Sequence, residues 1–245
     1  MPWLLGWIWW TLLPARKRLA VANHQAAFPE RDPGELRRTV GELAWSYAEL
    51  ALGRRARVEG LEAVRGGALM LAGHFSGWDL ALLSLADHAP VTIFVREPSD
   101  RLARAVVARL RRHPNLELLP PRGAMGRAYA ALDEGRLVLF VQDQRHDPGV
   151  PVPFLGRQAW TSAGFAVAAW RSGRPVLGMT QHRGEDGVHR VQLAPLPLQV
   201  PADRAAAVAT LTAASQRFYE GAVRARPWTW WWLHDRWRRP SPAVG

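Results

Sequence analysis

The sequence predicts an α/β fold, an αβα sandwich with a largely parallel central sheet. Three observations lead there. Short apolar runs alternate with stretches whose apolar residues recur every three or four positions, the pattern of strands interleaved with covering helices. Apolar residues make up 48% of the chain, enough to bury a core and to exclude a disordered protein. The 245 residues suit one large α/β domain, and neither an internal repeat nor a Pro/Gly/Ser-rich linker divides them. Residues 1–245 therefore read as a single domain, with 1–18 as a membrane-surface anchor segment.

Residues 1–13 (MPWLLGWIWWTLL) hold Trp3, Trp7, Trp9 and Trp10 and are followed by Arg16, Lys17 and Arg18. As a helix this segment reaches about 20 Å, short of the roughly 30 Å hydrocarbon core, so no span is expected. Indole favours the headgroup level and the basic cluster favours anionic lipid, which predicts an interfacial segment. A buried N-terminal helix is the alternative. No basic side chain precedes the apolar stretch, as a secretory signal would require.

Residues 33–52 predict a helix, with Leu36, Val40, Leu43, Tyr47 and Leu50 on one face and Pro33 in the first turn. Residues 67–72 form a buried strand, 76–86 a helix, and 91–95 a β-branched strand between Pro90 and Pro98. Residues 99–112 give the clearest helix. Leu102, Ala103, Val106, Val107 and Leu110 fall in one arc, opposite Arg101, Arg104, Arg109, Arg111 and Arg112, with Ser99 as N-cap. A strand at 116–119, a helix at 125–134 and a strand at 137–141 follow. Residues 142–160 read as a Pro/Gly-bearing loop, 161–171 as helix, 175–181 as strand, 188–193 as an edge strand and 203–223 as a long helix. Residues 227–237 (PWTWWWLHDRW) set five Trp beside Arg226, Arg236, Arg238 and Arg239. They suit either a lipid headgroup level or acyl channel, or a C-terminal helix packed on the core.

Thirty-two basic residues, all Arg except Lys17, against 21 acidic ones give a formal charge of +11. This favours an anionic partner: nucleic acid, a phospholipid surface or a phosphorylated substrate. The arginines are spread along the chain without a nucleic-acid-binding motif, so no nucleic-acid partner is expected. The absence of Cys excludes disulfides, thiolate metal sites and a Cys nucleophile.

Ligands of such sheets gather at the carboxyl ends of strands. His74 follows the strand at 67–72, in a turn loosened by Gly73 and Gly77, and Asp79 follows five residues later. Across a turn this spacing can set a carboxylate on one imidazole nitrogen and leave the other free to take a proton from a substrate hydroxyl. A structural His against a capping Asp is the plainer alternative. Ser76 lies in the same turn but lacks the G-x-S-x-G elbow of a nucleophile. Arg96 and Arg122, near other strand ends, suit phosphate binding or plain surface decoration. Asp143 and Gln144 follow the strand at 137–141, and a carboxylate buried there needs a partner. No metal is expected, since His74 and Asp79 lack a third ligand at a usual spacing unless His146 or His182 converges on them.

Several pieces occur together in order: residues 23–30 (NHQAAFPE), His74 to Asp79, Arg122-Gly123, Asp143-Gln144, residues 152–157 (VPFLGR) and residues 232–237 (WLHDRW). This arrangement resembles the bacterial lipid A biosynthesis lauroyl/myristoyl acyltransferase family, including the phosphatidylinositol mannoside acyltransferases of actinobacteria, over roughly residues 15–240. The resemblance implies a glycerolipid-acyltransferase type of fold. It also implies a membrane-associated enzyme moving a fatty acyl chain from acyl carrier protein or coenzyme A to a hydroxyl of a glycolipid or phospholipid. The family's catalytic His and acidic residue fall on His74 and Asp79, its Arg and Asp positions on Arg122 and Asp143, and Arg96 is a looser match. No cofactor is implied beyond the thioester co-substrate. The implied location is the cytoplasmic face of the inner membrane, peripheral or monotopic. Ser76-Gly77 replaces the usual Gly-Asn, which leaves the acceptor open. A lipid esterase built on Ser76 and His234, or a catalytically silent membrane-surface module, are the other readings.

Overall fold

The computed structural model describes residues 2–12, 16–64, 66–96 and 99–238. Residues 13–15 of the apolar-basic N-terminal segment, Glu97, Pro98 and Arg239 lie outside these. Three helices open the chain: α1 (Pro2–Leu12), α2 (Lys17–Ala27) and α3 (Leu36–Ala51). Then come β1 (Arg57–Glu59), β2 (Ala68–Ala72), α4 (Trp78–Ala86), β3 (Val91–Phe94), α5 (Arg101–Leu110), β4 (Leu116–Leu119), α6 (Met125–Asp133) and β5 (Leu137–Val141). The chain continues through β6 (Val150–Phe154), β7 (Arg157–Thr161), α7 (Gly164–Ser172), β8 (Val176–Arg183), β9 (His189–Pro195) and α8 (Arg204–Ala225).

Seven strands form one sheet in the order β1-β9-β8-β2-β5-β3-β4, parallel throughout except for the β8–β9 pair. Strands buried on both faces read as unbroken apolar runs, which is why β2 (ALMLA) and β5 (LVLFV) are apolar at every position. Their side chains alternate between two cores. Leu69, Leu71, Val138 and Phe140 pack with Phe165 of α7 and with Leu211 and Tyr219 of α8. Met70, Ala72, Leu137 and Leu139 pack with Leu80 and Leu83 of α4 on the other face. The parallel αβα sandwich expected from the sequence is the architecture observed.

Several local expectations need correction. Residues 150–161, read as part of a loop, form the β6–β7 hairpin. Pro151 and Pro153 disguise it, yet both are exposed on one face while Val152 and Phe154 are buried on the other, and a two-stranded ribbon has a free edge that tolerates Pro. β9 is not an edge strand, because the unpredicted β1 pairs on its far side. The 161–171 helix begins only at Gly164, after β7. The apolar arc of α5 is only partly covered: Leu110 packs on the core and Val107 is half-buried, but Leu102 and Val106 are exposed.

The N-terminal segment docks along one side. α1 packs on α3 so closely that a Cβ on Gly6 would lie 2.1 Å from the Arg37 carbonyl oxygen. Trp10 is buried and carries the Lys17 ammonium 4.7 Å above its ring, whereas Leu4, Trp7 and Ile8 remain exposed. Among the described residues no helix is long and apolar enough to cross a membrane. The Trp-rich segment packs on the core, though not as an α-helix. After a 3-10 turn at Pro227–Thr229 it runs irregularly over the sheet, burying Trp230, Trp232 and Trp237.

Candidate active site

The site forms where β2 and β5 end side by side. Their parallel register pairs Ala72 with Val141, so the residues two positions beyond each end, His74 and Asp143, emerge as neighbours. His74 Nδ1–H donates to Asp143 Oδ1 at 2.8 Å, and the His74 backbone N–H donates to Oδ2 at 2.7 Å. Trp230 Nε1–H adds a third bond to Oδ2 at 2.9 Å. Asp143 is fully buried. Burial alone would raise the pKa of its carboxyl, but the charge and hydrogen bonds of His74 and the Trp230 bond outweigh it and hold the group below its ordinary value. The carboxylate is thus the acceptor that fixes the proton on Nδ1. In the neutral ring this leaves the lone pair on Nε2, on a side chain that is 28% exposed.

The C-terminal strap completes the loop. Phe75 bridges Trp230, the Trp231 N–H donates to the His74 carbonyl at 3.0 Å, and the Ser76 N–H donates to the Thr229 carbonyl at 2.6 Å. Gly77, at φ 75°, turns the chain into α4 in a left-handed conformation that favours Gly.

Asp79 does not orient the imidazole, contrary to expectation. It sits in the first turn of α4, where Oδ1 accepts from Arg111 Nε at 2.7 Å and Oδ2 from the Tyr47 hydroxyl at 2.9 Å. The Arg111 guanidinium lies 4.4 Å over the Trp78 ring, which is itself 5.8 Å from the His74 ring. Burial, with the adjacent Asp79 charge, pushes the Tyr47 phenol above its usual value, so it remains a donor. Asp79 therefore sets Arg111, and Asp143 sets His74.

Two cavities meet at the imidazole. One, of about 160 Å³, is mainly apolar, with Leu43, Phe75, Trp78 and Trp231 in its wall. The other, of about 470 Å³, is mixed: Arg96, Arg111, Gln144, Arg145, His146 and His234 share its wall with apolar side chains that include Ile93, Phe94 and Phe140. Of the residues proposed from sequence, Arg96 is exposed at this second cavity and Gln144 lines it. Arg122 is exposed outside both cavity linings. Asp143 belongs behind the imidazole rather than against substrate, because it is fully buried.

Sequence reasoning missed the roles of Arg111, Arg145, Trp230 and His234. Arg111 was visible only as one of many arginines. His234 Nε2 accepts from the Arg145 N–H at 2.9 Å, and burial lowers its pKa to about 4, so it is neutral. Ser76 is buried and its hydroxyl donates to the Thr229 carbonyl at 3.2 Å. Ser76 and His234 thus each have another partner, and no Ser–His pair forms between them. Arg236 is buried and donates to the Trp160 carbonyl, Thr161 Oγ1 and Gln216 Oε1, tying the strap to β7 and α8. Burial lowers its pKa to about 10, which keeps it charged at neutral pH. His146 and His182 do not complete a ligand set: among the described residues no three His, Asp or Glu side chains are grouped to hold a metal ion.

The family model for bacterial lipid A biosynthesis acyltransferases matches residues 5–239. No curated protein matches the chain.

Proposed function

Because the chain belongs to the bacterial lipid A biosynthesis acyltransferase family, we propose that it transfers a fatty acyl group from a thioester donor to a hydroxyl of a glycolipid or phospholipid, with His74 as general base. The single observation that carries this reading is an imidazole locked at Nδ1 by a buried carboxylate, with its other edge where a mainly apolar cavity meets a larger one that carries arginines. An acyl thioester has the same division, an apolar chain on one side of the reacting carbon and an anionic carrier on the other.

His74 Nε2 takes the proton of the acceptor hydroxyl as its oxygen attacks the thioester carbonyl. The tetrahedral intermediate collapses, the C–S bond breaks, and the thiolate leaves with the proton from the imidazolium. The acyl group moves directly to the acceptor, and no acyl-enzyme forms. Asp143 stabilises the imidazolium while it exists, and general-base help of this kind contributes about 10²–10⁴-fold. Arg111, held by Asp79, and Arg145 supply positive charge to the carrier, the acceptor or the developing oxyanion. The apolar cavity is close to the roughly 150 Å³ that accommodates a benzene ring, so it suits only the first carbons of an acyl chain, the remainder running beyond it.

Acyl carrier protein and coenzyme A are both anionic, so the arginines at the larger cavity suit either as donor, and an inner-membrane site on the cytoplasmic face suits either one. The test incubates the protein with acyl-coenzyme A or acyl carrier protein and a lipid acceptor, and follows free thiol and acylated lipid by mass spectrometry. His74→Ala abolishes both products while the fold persists. Wild-type turnover by that variant overturns the assignment.

A further inference from the structure

Helix α5, RLARAVVARL, has the marked two-sided pattern of a core-packed helix without the burial that should accompany it. Leu102 is 74% exposed and Val106 49% exposed, while Val107 and Leu110 are half-buried. Projected at about 100° per residue, Leu102 and Val106 form a strip on the outward side. Arg109 borders that strip, with Arg101 beyond it. The helix contains no acidic residue, and Arg101, Arg104 and Arg109 are all exposed. A helix of a soluble domain ordinarily turns such a strip inward. An apolar strip edged by arginines is instead complementary to a surface that is anionic at the headgroups and apolar beneath them.

We propose that α5 docks this protein on an anionic phospholipid bilayer, with Leu102 and Val106 inserted below the headgroups and Arg101 and Arg109 at the lipid phosphates. The position of the helix supports this occupant. Arg96 precedes α5 and Arg111 directly follows it, and both line the larger cavity beside His74. A bilayer under α5 therefore lies against the mouth of that cavity, where a lipid headgroup can pass to the two arginines without leaving the interface. The lipid chemistry rests on the acyltransferase reading; the docking surface itself rests on α5 alone.

The test uses the full chain and its sedimentation with vesicles of phosphatidylcholine, alone or mixed with phosphatidylglycerol. The wild type partitions to the mixed vesicles. L102D/V106D loses partitioning about tenfold or more, and R101Q/R109Q loses the preference for the anionic vesicles. Both keep the wild-type thermal midpoint and wild-type turnover of detergent-dispersed substrate. Since the chain has no Cys, Leu102→Cys carries an environment-sensitive fluorophore at one site, and its emission shifts to the blue on the mixed vesicles. Unchanged partitioning by L102D/V106D, or an unshifted probe, overturns the proposal. So does self-association, or binding to an acidic carrier protein, that L102D/V106D abolishes while vesicle binding persists. Lack of acyl transfer by the wild type in detergent defeats the enzymatic reading but leaves the vesicle result standing.

Discussion

Asp143→Asn separates the two carboxylates near the imidazole. In the native site Oδ2 accepts two N–H bonds, from the His74 backbone and Trp230, while Oδ1 accepts one from the imidazole. An Asn side chain has one oxygen, and placing its amide nitrogen at Oδ2 sets a donor against two donors. The oxygen therefore stays at Oδ2 and the NH₂ faces Nδ1. That forces Nδ1 to accept and moves the ring proton to Nε2, where the base must be bare. The fold keeps all three contacts, one of them reversed in direction, and sheds a buried charge, so the thermal midpoint moves by only a few degrees. Catalysis loses both the tautomer and the counter-ion, a drop of about 10³–10⁴-fold in kcat, or about 4–5 kcal/mol of barrier. Initial rates of thiol release with a saturating acceptor, alongside circular dichroism melts, give the comparison. If Asp143→Asn turns over within tenfold of wild type while Asp79→Asn falls a thousandfold, the imidazole is set by Asp79 in the working enzyme and the pairing argued above is wrong.

Other outcomes follow from the same geometry. Arg111→Gln raises KM for the anionic thioester several-fold with a smaller effect on kcat, and Asp79→Asn does the same through Arg111. Because the two side chains share one interaction, steady-state kinetics of the double variant should match Arg111→Gln alone, with a coupling on the order of 1 kcal/mol; strict additivity contradicts it. The His234 pKa lies at about 4 when folded, below the ordinary 6.5 or so of an unfolded chain. As pH falls the unfolded state takes the proton first, so stability is complete above about pH 6.5 and declines toward pH 4, by at most about 3 kcal/mol. The depressed Asp143 carboxyl adds a loss at still lower pH, in the same direction. Urea midpoints between pH 7.5 and 4.5 should fall for the wild type and fall less steeply for His234→Gln, the remainder coming from His189, whose pKa burial also lowers to about 4.

The sheet was legible because strands buried on both faces cannot hide their composition, as β2 and β5 illustrate. His74 was legible for a related reason: an imidazole directly after such a strand is delivered to the ligand edge. Its partner was not. Asp79 is near in sequence, whereas Asp143 is 69 residues away, and only the adjacency of β2 and β5 brings it close. That adjacency is a property of strand order, which periodicity does not encode. Periodicity also locates an apolar arc without saying what covers it, and in α5 only part of the arc is covered. The Trp cluster is ambiguous by chemistry, since indole suits both a headgroup layer and a core. Trp230 is buried against Asp143, a partner 87 residues away that sequence proximity does not reveal, while the Trp232 N–H donates to the nearby Pro227 carbonyl.

The strap at residues 227–237 also bears on when the protein becomes competent during its synthesis. Asp143 draws one of its three donors from Trp230, and the loop around His74 is clamped by the backbone of Thr229 and Trp231. A nascent chain that has extruded everything through α8 has both members of the pair but nothing to close over them, so the carboxylate remains hydrated and the ring free to swivel. Ordering the imidazole accordingly waits until residues 227–237 have followed α8 and seated.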